Sequence, residues 1–485
     1  MKFINKILFL LILFPILSLA GCVSVGISDL IESEQFLEKL SGAPDYSYQK
    51  AYWVSESGNN VKENGSEEKP FRSINYALSQ CTGGETILIS EGTYTEEVRV
   101  EHPSITLRAV DKQHVIIKNT VDNEEEAFAI WLHVDSSGSK LQNLEIIGGY
   151  YYGIKIETKW DWGLEDNSGA SDIIIENCVI HDTGRDCIKI TPNCNNITIR
   201  RCEIYNSGIG PANINVNNAE GIDNVNGDNM IVQDCYIHDI STTGIYFKGG
   251  AQNCIVERNL IKHTGFSGVL IGFDTSPEYF DLDENPNYYE SINSFVRNNV
   301  IMDTVYAGIG LYSSLNAKVL NNTIINTARV SMSPICFGLS FQDWEKEAKR
   351  PPNKNPGIYN NLIYQEDIAN EMMLVIRYSD ELGGMSALEG HLVMDYNCYF
   401  SNGEMYFRDK RPDSKIYTDS FSEWQVHLDT DRHSFIENPL LVEEYHLSSN
   451  SISVDNGCQN SFVTYDVDEK QRDKAFDIGA WEYSD

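Results

Sequence analysis

The sequence predicts an all-β chain wound as a single-stranded, right-handed parallel β-helix, and two recurring patterns carry that prediction. The first is a seven-residue template. It reads Ile174-Ile-Glu-Asn-Cys-Val-Ile, Thr198-Ile-Arg-Arg-Cys-Glu-Ile, Ile231-Val-Gln-Asp-Cys-Tyr-Ile and Ile255-Val-Glu-Arg-Asn-Leu-Ile, and continues as Phe295-Val-Arg-Asn-Asn-Val-Ile, Lys318-Val-Leu-Asn-Asn-Thr-Ile and Gly357-Ile-Tyr-Asn-Asn-Leu-Ile. Its Cys or Asn falls at 178, 202, 235, 259, 299, 322 and 361, with gaps of 24, 33, 24, 40, 23 and 39 residues. A coil of about two dozen residues with occasional insertions is the mark of a solenoid. The second pattern is a strand after each turn: Gly153-Ile-Lys-Ile-Glu, Cys187-Ile-Lys-Ile-Thr, Gly221-Ile-Asp-Asn-Val, Gly244-Ile-Tyr-Phe-Lys, Gly268-Val-Leu-Ile-Gly and Gly308-Ile-Gly-Leu-Tyr. Its isoleucines alternate with polar residues, as strand geometry requires when one face is buried.

From the N-terminus, a lysine-bearing start, an apolar run from Ile7 to Leu19 and Leu19-Ala20-Gly21-Cys22 have the order of a secretory signal. The last four residues resemble the bacterial lipoprotein signal, which implies lipidation of Cys22 and a mature chain beginning there. Val23 follows the cysteine instead of the aspartate of an inner-membrane retention signal, so an outer-membrane or cell-surface address is expected. The expected organisation is a signal over 1–21, a lipidated tether over 22–48 and a β-helix domain over 49–485. No later apolar stretch is long enough to span a bilayer.

The amphipathic stretch Ile74 to Leu78 is expected to be a helix capping the first coil, whose strand edge would otherwise be open. Earlier coils are legible in Thr86-Ile-Leu-Ile-Ser, Ile105-Thr-Leu-Arg-Ala, His114-Val-Ile-Ile-Lys and Leu141-Gln-Asn-Leu-Glu-Ile-Ile. The asparagines are expected to stack coil on coil, satisfying backbone groups left unpaired at the bends. Cys178, Cys202 and Cys235 share that column and read as buried thiols, not disulfides. His181, His238 and His263 read as turn residues. Ala51-Tyr-Trp-Val-Ser-Glu-Ser-Gly-Asn, Lys69-Pro-Phe-Arg-Ser-Ile and the closing Phe476-Asp-Ile-Gly-Ala-Trp-Glu-Tyr resemble the two ends of secreted bacterial β-helix proteins of the pectin-lyase-like kind.

The formal charge is −34, with 37 Lys+Arg against 71 Asp+Glu, which argues against nucleic acid as a partner. An acidic polysaccharide would need a local cluster of cations or a bridging metal. The outward positions of the second pattern supply one such cluster. Lys155, Glu157, Lys189, Thr191, Asp223, Tyr246 and Lys248 follow on successive coils, with Asp186 and Glu220 just before two of the strands. Parallel strands are about 4.8 Å apart, so residues two coils apart share a site. Two insertions flank this face: Lys159-Trp-Asp-Trp-Gly-Leu-Glu-Asp, and 274–290 with Tyr279, Phe280, Tyr288 and Tyr289. Their aromatic residues suit sugar faces, or equally well anchor the loops.

The cluster resembles the calcium-dependent pectate lyases of polysaccharide lyase family 9. Those enzymes set a lysine base beside acidic calcium ligands. The resemblance implies Lys248, in Tyr246-Phe-Lys-Gly-Gly, as the base. It implies Asp186, Glu220 and Asp223 as Ca2+ ligands, and Lys189 and Tyr246 as substrate-binding residues. The chain offers Glu220-Gly-Ile-Asp223 where that family has an adjacent aspartate pair. Alginate and chondroitin lyases on this fold are similar too and often use an arginine; Arg185, Arg200 and Arg258 are candidates. The reaction expected is β-elimination on a uronate-containing polysaccharide. The alternatives are a glycoside hydrolase using two of the carboxylates and a noncatalytic glycan-binding surface lipoprotein. A monomer is expected, since a capped solenoid needs no partner.

Overall fold

Three long sheets, parallel except for the last strand of the third, run the length of the domain, and the coils give one short strand to each. In the computed structural model, residues 50–159, 167–214, 217–340, 350–367, 370–390, 392–460 and 462–484 are described. The expected signal, Cys22 and the whole tether lie outside them. Among the described residues each long sheet has 12 strands. The first runs from Ala51–Val54 to Val393–Asp395, the second from Gly92–Thr95 to Phe435–Ile436, and the third from Val98–Val100 to Ile416–Thr418. No helix of the described residues is long and apolar enough to cross a membrane.

Register explains why the patterns were legible. In the third sheet Ile154, Ile188, Ile222, Ile245, Val269, Ile309 and Ile335 are direct neighbours on successive coils. All of them are buried. Each such side chain contributes roughly 1.5–3 kcal/mol, and a shift of one residue would turn the whole row outward.

The asparagine column is a continuous hydrogen-bonded ladder. Asn259 Nδ2 donates to Asn299 Oδ1 at 2.9 Å, Asn299 to Asn322 at 3.0 Å, and Asn322 to Asn361 at 2.9 Å. Asn361 continues it to Asn397 at 3.1 Å, one coil beyond the template read from sequence. Each Oδ1 also accepts the backbone N–H of the preceding coil, as Asn322 does from Asn299 at 3.0 Å. The cysteines use the same geometry: Cys235 Sγ donates to Ile199 O at 3.7 Å, where Asn259 Nδ2 donates to Val232 O at 3.0 Å. All ten cysteines of the described residues are free. The residue before each column position bends the chain in the left-handed region, at Asn177, Arg201, Asp234, Arg258, Asn298, Asn321 and Asn360. For Arg201 and Arg258 this conformation costs about 1–2 kcal/mol. Their guanidinium groups are tied to the coil below, to Asn177 and Asp234, both at 2.8 Å.

The helix Ile74–Leu78 has the expected bounds, with Ile74, Ala77 and Leu78 buried in the core. Glu96 accepts from its first two N–H groups, Ile74 at 2.8 Å and Asn75 at 3.0 Å. At the other end the closing segment lies on the outside of the second sheet, where Val467 and Ala480 pack on Val300 and Ile325.

The histidine reading needs correction. His181, His238 and His263 stand in the strands Val179–His181, Tyr236–Ile240 and Leu260–Thr264 of the second sheet, not in turns. His181 and His238 sandwich Tyr205, with ring centroids 4.5 and 4.9 Å apart. Sequence spacing could not separate a short strand from the bend that follows it.

Candidate functional site

The site is built on the third sheet by three adjacent coils. Lys155, Lys189, Asp223, Tyr246 and Leu270 are opposite one another on five successive strands. Asp186 and Glu220 occupy the turns that enter two of those strands, joined by hydrogen bonds from Gly153 N–H to Asp186 O at 3.2 Å and from Cys187 N–H to Glu220 O at 2.9 Å. The backbone thus stacks the carboxylates of Asp186 and Glu220 beside that of Asp223. Carboxylate oxygens of the three lie within 4.8 Å of one another, and all three residues are buried. It is the one group of three or more His, Cys, Asp or Glu side chains among the described residues that meets this spacing.

The alternation expected from sequence is present, but its outward side chains are not solvated. Asp223 is 0% exposed, Tyr246 3% and Thr191 3%. The reason is cover from loops. Asn226 Nδ2 donates to Tyr279 O at 2.6 Å, which lays the 273–290 insertion over the sheet, and Phe273 stacks on Tyr246 at 6.1 Å. On the other side Asn218 lies between Arg185 and Glu220: Arg185 Nε donates to Asn218 O at 3.0 Å. With its amide turned to satisfy both neighbours, Asn218 donates to Glu220 Oε2 at 2.6 Å and accepts from Arg185.

Burial and crowding set the charge state. Burial, with the Glu220 charge beside it, pushes Asp186 well above the usual carboxylate range. Glu220 is raised by burial and by Asp223. Burial also acts on Asp223, but Lys189 and Lys248 outweigh it and hold the carboxyl below its usual range. Lys189 is 16% exposed, pairs closely with Asp223 Oδ2 and stands 3.9 Å from Asp186 Oδ2. Its ammonium is the internal counterion of the triad. Burial together with the charges of Asp223, Glu220 and Asp186 drives the Tyr246 phenol well above its ordinary value.

Lys248 is placed differently. Its Nζ sits 4.3 Å from the Tyr246 ring centroid and 5.8 Å from that of Phe273. Its charge reaches Glu220 and Asp223 without a close ion pair among the described residues. Two buried oxygens, Asp186 Oδ2 and Asp223 Oδ1, have no hydrogen-bond partner. Unpaired buried carboxylate oxygens are costly. Three all-oxygen donors at this spacing fit a hard divalent cation, whose oxygen ligands stand about 2.3–2.6 Å away for calcium.

The structure therefore brings together all six residues singled out in sequence: Asp186, Lys189, Glu220, Asp223, Tyr246 and Lys248. Of the three arginine candidates it selects Arg185, whose guanidinium is 5.8 Å from the Tyr152 ring. Arg200 pairs with Glu176 and Arg258 with Asp234, away from the triad. Tyr152, Asn218, Thr242 and Phe273 were missed; Thr242 Oγ1 donates to Glu220 Oε1 at 2.9 Å. Asn218, Thr242 and Phe273 carry no periodic signal because they reach the site from turns and an insertion, whereas Tyr152 opens the strand Tyr152–Ile156 one position ahead of the glycine that begins the pattern. In the 274–290 insertion, Phe280 and Tyr289 are buried as anchors. Tyr279 is half-buried beside Lys189. Residues 160–166, with Trp160 and Trp162, lie outside the described residues.

Residues 71–216 and 209–334 match the family model described as the right-handed beta helix region. The chain belongs to that β-helix family. A stretch of 116 residues is 33% identical to the uncharacterized protein YwoF of Bacillus subtilis (strain 168), covering 22% of this chain and 24% of that one. The match thus spans about a quarter of the length of that relative. Among solved structures, this β-helix protein is similar to pectate lyase Pel9A, at 16% identity over 90% of this chain and 97% of that one, with a TM-score of 0.55. It is similar to a rhamnogalacturonan lyase at 14% identity over 67% and 84%, TM-score 0.51. It also resembles XylC solved with xylose, at 12% identity over 90% and 98%, TM-score 0.52. At these identities the likeness is one of fold, the pectate-lyase-like right-handed β-helix.

Proposed function

We propose that this protein cleaves an acidic, uronate-containing polysaccharide by β-elimination, with a calcium ion held by Asp186, Glu220 and Asp223. The observation that carries the reading is the pair of buried oxygens without a hydrogen bond, Asp186 Oδ2 and Asp223 Oδ1, in a triad with Lys248 alongside. Bound by Asp186, Glu220 and Asp223, a divalent cation would supply positive charge for the uronate carboxylate and make the proton α to it more acidic. Lys248 takes that proton at Nζ. The C–H electrons form the ring double bond, and the glycosidic oxygen on the neighbouring carbon leaves with its bonding pair and takes a proton from water. The Tyr246 and Phe273 rings flank the Lys248 amine. Tyr246 acts through Asp223 and Lys248, since its own ring is buried. Lys189 and Arg185 add positive charge for the substrate carboxylate.

The triad spacing also weighs against an inverting hydrolase, whose two carboxyls stand about 6.5–9.5 Å apart to admit a water. The lipoprotein-like Leu19-Ala20-Gly21-Cys22 supports an anchor on Cys22 that holds the enzyme at the outer membrane or cell surface. The test of the activity is to incubate the chain from residue 23 with pectate, alginate and chondroitin, with calcium or chelator, and to follow the unsaturated-uronate absorbance. A rise abolished by chelator and by Lys248→Ala is expected. No rise with any of the polymers would sink the lyase reading for those substrates and favour a glycan-binding protein.

A further inference from the structure

A fully buried ion pair lies directly behind Lys248, and the reaction above makes no use of it. Glu290 and Arg350 are each 0% exposed in their side chains and meet at 3.0 Å, Arg350 Nε donating to Glu290 Oε1. Isolated charges this deep are costly, and a pair breaks even against apolar packing only when further hydrogen bonds complete it. Those bonds lead to the Lys248 turn. Gly249, the next residue, donates its N–H to Glu290 Oε2 at 2.9 Å, and Gly250 N–H donates to Glu290 O at 3.0 Å. Both glycines are left-handed, at φ 72° and 99°, a tight reversal that a side chain would strain.

The same carboxylate holds the wall that Lys248 faces. Ser340 Oγ donates to Phe273 O at 2.5 Å and lies 3.3 Å from Glu290 Oε1, so its one proton is shared between them. The Phe273 ring is one of the two beside the Lys248 amine. Thr275 donates to Glu290 from both its N–H, at 3.1 Å, and its hydroxyl, at 2.6 Å. Arg350 in turn lies over the rings of Phe280 and Tyr288, at 4.7 and 5.1 Å. One carboxylate thus fixes the peptide after Lys248, the backbone of Phe273, and the insertion that closes over the site.

We propose that Glu290, braced by Arg350, is a positioning residue that sets the Lys248 amine against the triad. This rests on Lys248 being the base of the proposed reaction. A misplacement of about 1 Å at a reacting group costs on the order of 100-fold in rate. For Glu290→Gln, kcat is expected to fall about 10- to 100-fold with KM nearly unchanged, and Glu290→Asp to recover part of the loss. A second readout does not need the substrate. Lysine amines are labelled by reductive 13C-methylation, the Lys248 resonance is identified by its loss in Lys248→Arg, and its shift is compared with and without the substitution. The resonance is expected to move in Glu290→Gln. If that variant does not fold, Ser340→Ala removes only a hydroxyl and is expected to move it in the same direction. A folded Glu290→Gln, or failing that Ser340→Ala, with the Lys248 resonance in place overturns the proposal. Absence of product from the unsubstituted protein would instead defeat the lyase reading, and the resonance would still decide whether Glu290 positions Lys248.

Discussion

Lys189→Met offers the sharpest check on the triad, because the structure makes Lys189 and a bound cation rivals for the same carboxylates. The ammonium pairs with Asp223, which is 0% exposed, and faces Asp186, also 0% exposed. Removing one member of a buried pair costs about 3–5 kcal/mol, because the other charge is left without its counterion. With chelator present, the variant is therefore expected to unfold at a clearly lower urea concentration than the unsubstituted chain. Calcium should reverse much of that loss. A ligand that binds only the folded state stabilises it by about 2.7 kcal/mol at a concentration of 100 times its Kd. Methionine also removes a competing positive charge, so the variant should bind calcium more tightly and show the larger calcium-induced shift. The assay is a urea titration of both proteins with calcium and with chelator, read by fluorescence. Equal midpoints with and without calcium in both proteins would refute the cation site. A calcium shift no larger in the variant would refute the view of Lys189 as the internal counterion.

Three further outcomes follow from other parts of the molecule. Asn322→Ala strips partners from Val296 O, Asn361 Oδ1 and the Asn299 N–H and amide. At about 1–3 kcal/mol for each buried group left unpaired, it should lower the unfolding midpoint more than Asn322→Cys, whose thiol can still donate to a carbonyl as Cys235 does; equal losses would contradict the ladder. Asp431, 0% exposed, is raised by burial to about 6 against the pull of Ser434, Asn397 and Tyr399. Its stabilising contribution is complete below the ordinary aspartate value and is lost as pH rises through about 6. The stability of Asp431→Asn relative to the unsubstituted protein should therefore improve between pH 4 and 7, by about 3 kcal/mol at most; a pH-independent difference would exclude this. Cys22→Ala should move the full-length protein from the membrane fraction to the soluble fraction, and an unchanged distribution would refute the anchor.

Much of the architecture was legible because a solenoid asks the same question of every coil. Each must bury one isoleucine row and satisfy one bend, so the template repeats and can be counted. The six site residues were legible for the same reason, as departures from that template clustered on neighbouring coils. Where a coil departs from the pattern, the reading stops short. The Asn397 coil keeps the spacing, with Met394 beside Ile358, but was missed because Tyr396 and Tyr399 stand where the other coils have a polar bend residue and an isoleucine. The three histidines were misplaced because a strand of three to five residues and the bend beside it have no distinguishing period.

By itself the sequence determined the coil, the inward rows, the Asn and Cys column and the identity of the charged residues that stack on one face. These are local and periodic properties, decided within one strand and its neighbour. Only the tertiary structure decided that the charged face is buried, that Lys189 neutralises the triad while Lys248 rests on aromatic rings, and that Arg185 is the arginine that joins them. Each of these depends on where insertions of unequal length fold back over the sheet. Burial by such loops sets both the charge state of the acids and which oxygens are left without a partner, and no periodicity in the chain encodes it.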